Sequence, residues 1–227
     1  MRIPKIIKKI LYLVIGMAII GNVSACAEPA EKVTVNQHPQ YVSVHKTDGG
    51  SQANIWDLGN PYSFSSNGVE EIINTIGIKG SEDRRLAIAY TFSFARYDLQ
   101  NTVVALGKVL DFSVRYDIPV ILHLDGVNYV DNYPEIWNWF DESLPGYDPE
   151  NAKNVERYDW GEGHEVKLGW RNWGTQIRVR PQMNLASEEF RAMNENCLNV
   201  LYKQIADWYN ELSANKKYLL GGVVTGW

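Results

Sequence analysis

Apolar positions recur at three- and four-residue steps in several stretches of this chain and run almost unbroken in three short ones. The first pattern predicts helices with one buried face, the second predicts strands covered on both sides. Val69 to Ile76 has helical spacing. Leu86–Phe94, LAIAYTFSF, reads as a strand. From about Gln100 to Tyr116, Val103, Val104, Leu106, Val109, Leu110, Phe112 and Val114 give a helix with a broad apolar face. Pro119 opens a second strand, VILHL, and Asp125-Gly126 ends it. Ser187 is placed to cap a helix with Glu188 and Glu189 in its first turn. Phe190, Met193, Cys197, Leu201, Ile205, Trp208 and Leu212 form that helix's core stripe, and Tyr218–Val224, YLLGGVV, is a further strand. Weaker pieces lie earlier, an apolar one around Ile55–Leu58 and alternating ones at Lys32–Val35 and Tyr41–Val44 that suit minor edge strands.

Between Pro119 and Pro181 regular periodicity largely fails for about sixty residues, yet Trp137, Trp139, Trp160, Trp170 and Trp173 lie there, five of the eight tryptophans. Disordered segments are poor in aromatics, and long loops in folded domains are usually functional. Strand and helix alternate on either side, which implies an α/β fold on a parallel sheet. The connections that lengthen follow strands, while those after helices are short (Asp117-Ile118; Ser213 to Lys217). That asymmetry fits a (β/α) barrel, whose site lies at the carboxyl ends of its strands. An open doubly wound sheet is the rival, but no G-x-G-x-x-G or P-loop pattern occurs, and no cofactor is expected. The chain ends at Trp227 directly after an apolar strand, and an eight-stranded barrel needs about 250 residues. The expectation is therefore the first three to four βα units of a partial (β/α)8 barrel. Residues 1–25 read as a leader, 26–52 as a tether and lead-in, and 53–227 as the barrel portion.

The leader changes the compartment. Arg2, Lys5, Lys8 and Lys9 precede an apolar run from Ile10 to Ile20, too short for a typical membrane span, and Val23-Ser24-Ala25-Cys26 follows. This order resembles the lipobox of bacterial lipoproteins. The resemblance implies that Cys26 is the lipidated first residue and that the protein is exported and anchored to a membrane, at the outer membrane or cell surface. An ordinary signal peptide cut near Ala25 or Ala27 is the alternative. Cys197 then stands alone, spaced as a buried structural thiol. Removing 25 residues leaves 202 of 227, and losing the leader's four basic groups moves the formal charge from −5 to −9. That balance argues against a nucleic-acid partner.

The strand ends hold the candidate chemistry. They bring Trp56 and Asp57, Phe94 and Arg96, His123, Asp125 and Asn128, and Thr225 and Trp227 toward one mouth. Asp125 can accept from sugar hydroxyls or act as acid or base, and Asp-Gly is equally a turn signal. His123 and Asp125 are two apart on a strand and point the same way, so a metal is conceivable, with His164-Glu165 as further donors. A hydrogen-bonded site histidine is the plainer reading. Trp137, Trp139, Trp170 and Trp173 offer flat faces for the C–H faces of sugar rings, interleaved with Asn138, Asp141, Arg171 and Asn172 as polar partners. They fit equally a small core closed under a long loop.

The runs VILHLDGVNYVDNYPEIWNWFD, GWRNWG and KKYLLGGVVTGW resemble the front half of bacterial (β/α)8 glycoside hydrolases of the beta-galactosidase-like kind, from about Leu86 to Trp227. The resemblance implies an oligo- or polysaccharide substrate and a pair of catalytic carboxylates at later strand ends, past Trp227. Under it, Asp125, Asn128, Trp139, Trp170, Asn172, Trp173 and Trp227 would line sugar subsites, with Arg96 and His123 supporting them. The alternatives are a non-catalytic glycan-binding lipoprotein and a metal-dependent hydrolase built on His123 and Asp125.

Overall fold

The computed structural model describes residues 39–46, 64–172 and 176–226, all within one structural unit, Pro39–Trp227. The leader with Cys26, the pieces at Lys32–Val35 and Ile55–Leu58, and Trp56, Asp57, Trp173 and Trp227 lie outside the described residues.

Strand β1 (Gln40–Lys46) is followed by helix α1 (Ser66–Ile76), strand β2 (Arg84–Phe92), helix α2 (Leu99–Tyr116) and strand β3 (Val120–Leu124). The interval after β3 holds a short helix α3 (Pro134–Trp137), a 3-10 turn (Pro149–Asn154) and strands β4 (Gly169–Asn172) and β5 (Gln176–Val179). Helix α4 (Glu188–Glu211), a second 3-10 turn (Ala214–Leu219) and strand β6 (Leu220–Thr225) complete the order. β1, β2, β3 and β6 form one sheet in that spatial order, every pair parallel. β4 and β5 form a separate antiparallel hairpin. The fold is thus α/β on a four-stranded parallel sheet, as the alternation of patterns implies.

Local chemistry explains the boundaries. Asp98 and Ser187 cap α2 and α4 by accepting from Asn101 N and Phe190 N. α2 ends with Asp117 in the left-handed region at φ 51°. Its carboxylate is held there by Lys216 Nζ at 2.6 Å and by the Tyr218 hydroxyl. β1 is seven residues long and lies within the stretch read as lead-in, with Tyr41–Val44 at its centre. The alternation YVSVHK is weak because β1 is an edge strand, with Val42 64% exposed.

The two faces of the sheet differ. Leu86, Ile88, Tyr90 and Phe92 of β2 and Val120, Leu122 and Leu124 of β3 are buried under the helices. Ala105, Leu106, Val109 and Leu110 of α2 meet them, with Phe190, Met193, Cys197, Leu201 and Ile205 of α4 in the same core. α2 and α4 pack side by side, with Gln204 Nε2 donating to Val103 O at 3.0 Å. The opposite face carries Tyr41, Ser43 and His45, then Arg85, Ala87, Ala89 and Thr91, then Ile121 and His123, by the strict alternation of a strand. No described helix lies in the chain to cover that face, since both long helices after β2 share the other one.

The interval after β3 is more ordered than its aperiodic sequence suggests. Trp137 is buried and donates to Val130 O at 2.9 Å. Asn138 is fully buried: its Nδ2 reaches Asp141 O, Leu144 O and Pro145 O at 2.9–3.2 Å, while its Oδ1 accepts from Asp141 N. Asn151 Nδ2 and Asp148 N both donate to Asn138 O. Further along, Ser187 Oγ donates to Asn154 Oδ1 at 2.7 Å, tying the 3-10 turn to the α4 cap. Side-chain amides and a few buried aromatics organise this segment where helix or strand hydrogen bonds do not.

Candidate functional site

The carboxyl ends of β1, β2, β3 and β6 meet on the face that the helices leave free, and a chain of hydrogen bonds crosses them. His45 Nε2 lies 2.7 Å from Thr91 Oγ1, Thr91 Oγ1 lies 3.4 Å from His123 Nδ1, and His123 Nε2 lies 3.1 Å from Gly226 O. A carbonyl oxygen only accepts, so His123 Nε2 carries a proton. In the neutral ring Nδ1 is then the acceptor. The Thr91 hydroxyl donates to it and in turn accepts from His45 Nε2–H. With His123 donating from Nε2 and accepting at Nδ1, the row runs in one direction. Desolvation lowers the His45 pKa below the ordinary histidine value, and neighbouring His123 adds to that effect.

His45 and Thr91 escape sequence reasoning. His45 lies in a strand too polar to stand out, and Thr91 sits inside an apolar run where it reads as a β-branched core residue. Their signal is periodicity: each falls on the same alternate face as His123 once the parallel register is known.

The residues expected at this mouth divide into several groups. His123 is in the row. Asp125 is buried at 3% exposure, and its carboxylate closes the turn after β3. Oδ1 accepts from Val127 N and Asn128 N at 3.1 Å, and Asn128 Nδ2 reaches both carboxylate oxygens at 3.2 and 3.3 Å. Asp125 and Asn128 thus serve each other and the turn. Gly126 beside them is needed for packing, because a Cβ there would lie 2.1 Å from Asn194 Oδ1 and 2.3 Å from the Phe94 ring. Arg96, in the turn after β2, lies over the Tyr129 and Tyr97 rings, 4.6 and 5.4 Å from their centroids.

The tryptophans separate by burial. Trp139 is half-buried against the core, edge-on to Phe140, donates to Val166 O at 3.3 Å and has Lys167 above its ring. That is the behaviour of a small core under the loop. Trp170 is 53% exposed on β4, with the Arg178 guanidinium 5.1 Å from its ring centroid. Asn172 pairs with Gln176 in the β4–β5 ladder; its side chain, like Trp173 and Trp227, lies outside the described residues. Of the other polar candidates, Asp141 accepts from Ser143 N and Oγ.

For the metal alternative, Glu165 is paired with Arg157 at 3.0 Å and His164 is stacked on Tyr158. No group of three or more potential ligands gathers among the described residues. Cys197 is buried beside Tyr133, their Sγ and hydroxyl 3.1 Å apart, and burial pushes its thiol pKa up, as suits a structural thiol.

No family model, curated protein or solved structure matches the chain. Among the described residues no helix is long and apolar enough to cross a membrane.

Proposed function

We propose that this chain forms one wall of a carbohydrate-binding cleft in a lipid-anchored, glycoside hydrolase-like protein of the (β/α)-barrel type. The observation that carries the reading is the directional row His45–Thr91–His123–Gly226 at the carboxyl ends of parallel strands. Beyond the row, His45 Nδ1 and the second lone pair of Thr91 Oγ1 can accept from the hydroxyl groups of a sugar on the sheet face opposite the described helices. Among the described residues the order β1-β2-β3-β6 runs without reversal, so no switch point of the doubly wound kind lies within this sheet. It is the order that an arc of a barrel would have. Trp170 adds a half-exposed ring on the segment that follows β3.

Binding is the part of the activity this wall supports. The Asp125 carboxylate is occupied by its own turn, which favours the non-catalytic glycan-binding reading for the described residues. In the hydrolase reading the two cleaving carboxylates come from elsewhere in the full barrel.

Affinity electrophoresis of the protein through gels containing a soluble xylan, a galactan or a β-glucan tests the proposal. Retardation in at least one gel, reduced several-fold by Thr91→Val and His123→Asn, is the expected result. Equal mobility of native and variant chains in every gel would refute it.

A further inference from the structure

Residues 155–166 build a projection of their own. Its stem is held by the bridges Val155 to Met183 and Arg157 to Glu165 and by three backbone bonds: Glu156 N to Gln182 O at 2.8 Å, Val166 N to Glu156 O at 2.9 Å and Tyr158 N to His164 O at 3.0 Å. The Arg157–Glu165 ion pair at 3.0 Å and the stacking of Tyr158 on His164, centroids 5.1 Å apart, brace it through side chains. Gly161 and Gly163, at φ 106° and 83°, let the tip turn tightly. On this stem Trp160 is 95% exposed and Tyr158 is 73% exposed, and the Trp160 amide is fixed by Asp159 Oδ1 at 2.7 Å.

An indole in water on a rigid stem forgoes the burial that tryptophan ordinarily finds. Beside it lies a concavity of about 680 Å³ lined by Lys153, Arg157, Tyr158, Asp159, Trp160 and Asn184. The lining mixes flat aromatic faces with planar polar groups of both signs. A pyranose ring satisfies both, its C–H face on the indole and its hydroxyls against carboxylate, guanidinium and amide. The acidic tip, Asp159 and Glu162, opposes an anionic lipid surface. The apolar area is one ring and its neighbour, too little for the apolar centre of a stable protein interface.

We propose that Trp160, with Tyr158, Asp159 and Arg157, forms a second carbohydrate contact on this projection, separate from the row on the sheet. It rests on the reading of the protein as a glycan binder and adds a distinct point of attachment, which raises avidity for a polymer over a short oligomer. The test is affinity electrophoresis of native, Trp160→Ala and Trp160→Phe chains in the same xylan, galactan and β-glucan gels, with far-UV circular dichroism as the folding control. The expected result is a native spectrum for both variants, a polymer affinity at least about fivefold lower for Trp160→Ala, and an intermediate value for Trp160→Phe. Native and Trp160→Ala chains retarded equally would overturn this second contact and leave the first reading standing. A native chain retarded in none of the gels would overturn both.

Discussion

Each residue of the row constrains the next. Gly226 O fixes the His123 tautomer, His123 Nδ1 fixes the direction of the Thr91 hydroxyl, and Thr91 takes the His45 proton. A consequence is a dependence of stability on pH. An imidazole whose pKa is lower in the folded chain than in the unfolded one binds fewer protons when folded. Stability linked to that group is complete above about pH 6.5 and declines as the pH falls below it, down to the folded value. Desolvation and His123 place His45 in this class. Urea denaturation at pH 7.5 and pH 5 is therefore expected to show a drop in midpoint for the native chain, and a smaller drop for His45→Gln. Equal drops would show that His45 does not titrate with folding. The sequence made His123 visible through the H-x-D spacing and left its partners hidden, because hydrogen bonds between neighbouring strands depend on register. Asp125 shows the opposite: Asp-Gly was legible as a turn, and the turn uses the carboxylate.

At the scale of elements, the regular parts follow from their patterns and the irregular part follows from buried side chains. The α4 stripe, the Ser187 cap and VILHL all appear where periodicity and capping put them. β2 begins two residues earlier than the apolar run and ends at Phe92, because Ser93 to Arg96 turn away from the sheet. The segment after β3 resists such reading because its hydrogen bonds are not periodic. Asn138 is its hub, with three carbonyls and one amide depending on its side chain. Asn138→Ala removes a partner from Leu144 O, Pro145 O and Asp141 N, all partly buried, while Asp141 O keeps Leu144 N; each such loss costs about 1–3 kcal/mol when the group stays away from water. A total loss of about 3 kcal/mol in urea denaturation is expected, given partial access of water at the loop edge. Asn138→Asp, which sets a carboxylate against carbonyl oxygens, should cost more than Asn138→Ala. A loss below about 1 kcal/mol for both would mean the segment is organised by its aromatics instead.

At the scale of the molecule, four parallel strands in sequential order carry their helices on one side and a polar row on the other. Alternation of βα units made the parallel sheet legible in sequence. The strand order was not legible, since spatial neighbours depend on crossovers that no local pattern encodes. Nor was the difference between the faces, which appears only when the small or polar Ala87, Ala89 and Thr91 are seen opposite the large apolar Leu86, Ile88, Tyr90 and Phe92. Sugar is expected to bind the face opposite the described helices through the row. The chain has four histidines, and their ring protons can be followed one by one in NMR spectra with single His→Gln variants for assignment. Titration of the Trp160→Ala chain with oligosaccharides cut from the polymer that retards the protein should shift the His45 and His123 ring resonances along one saturating curve. Saturable binding with both resonances unmoved would contradict the claim.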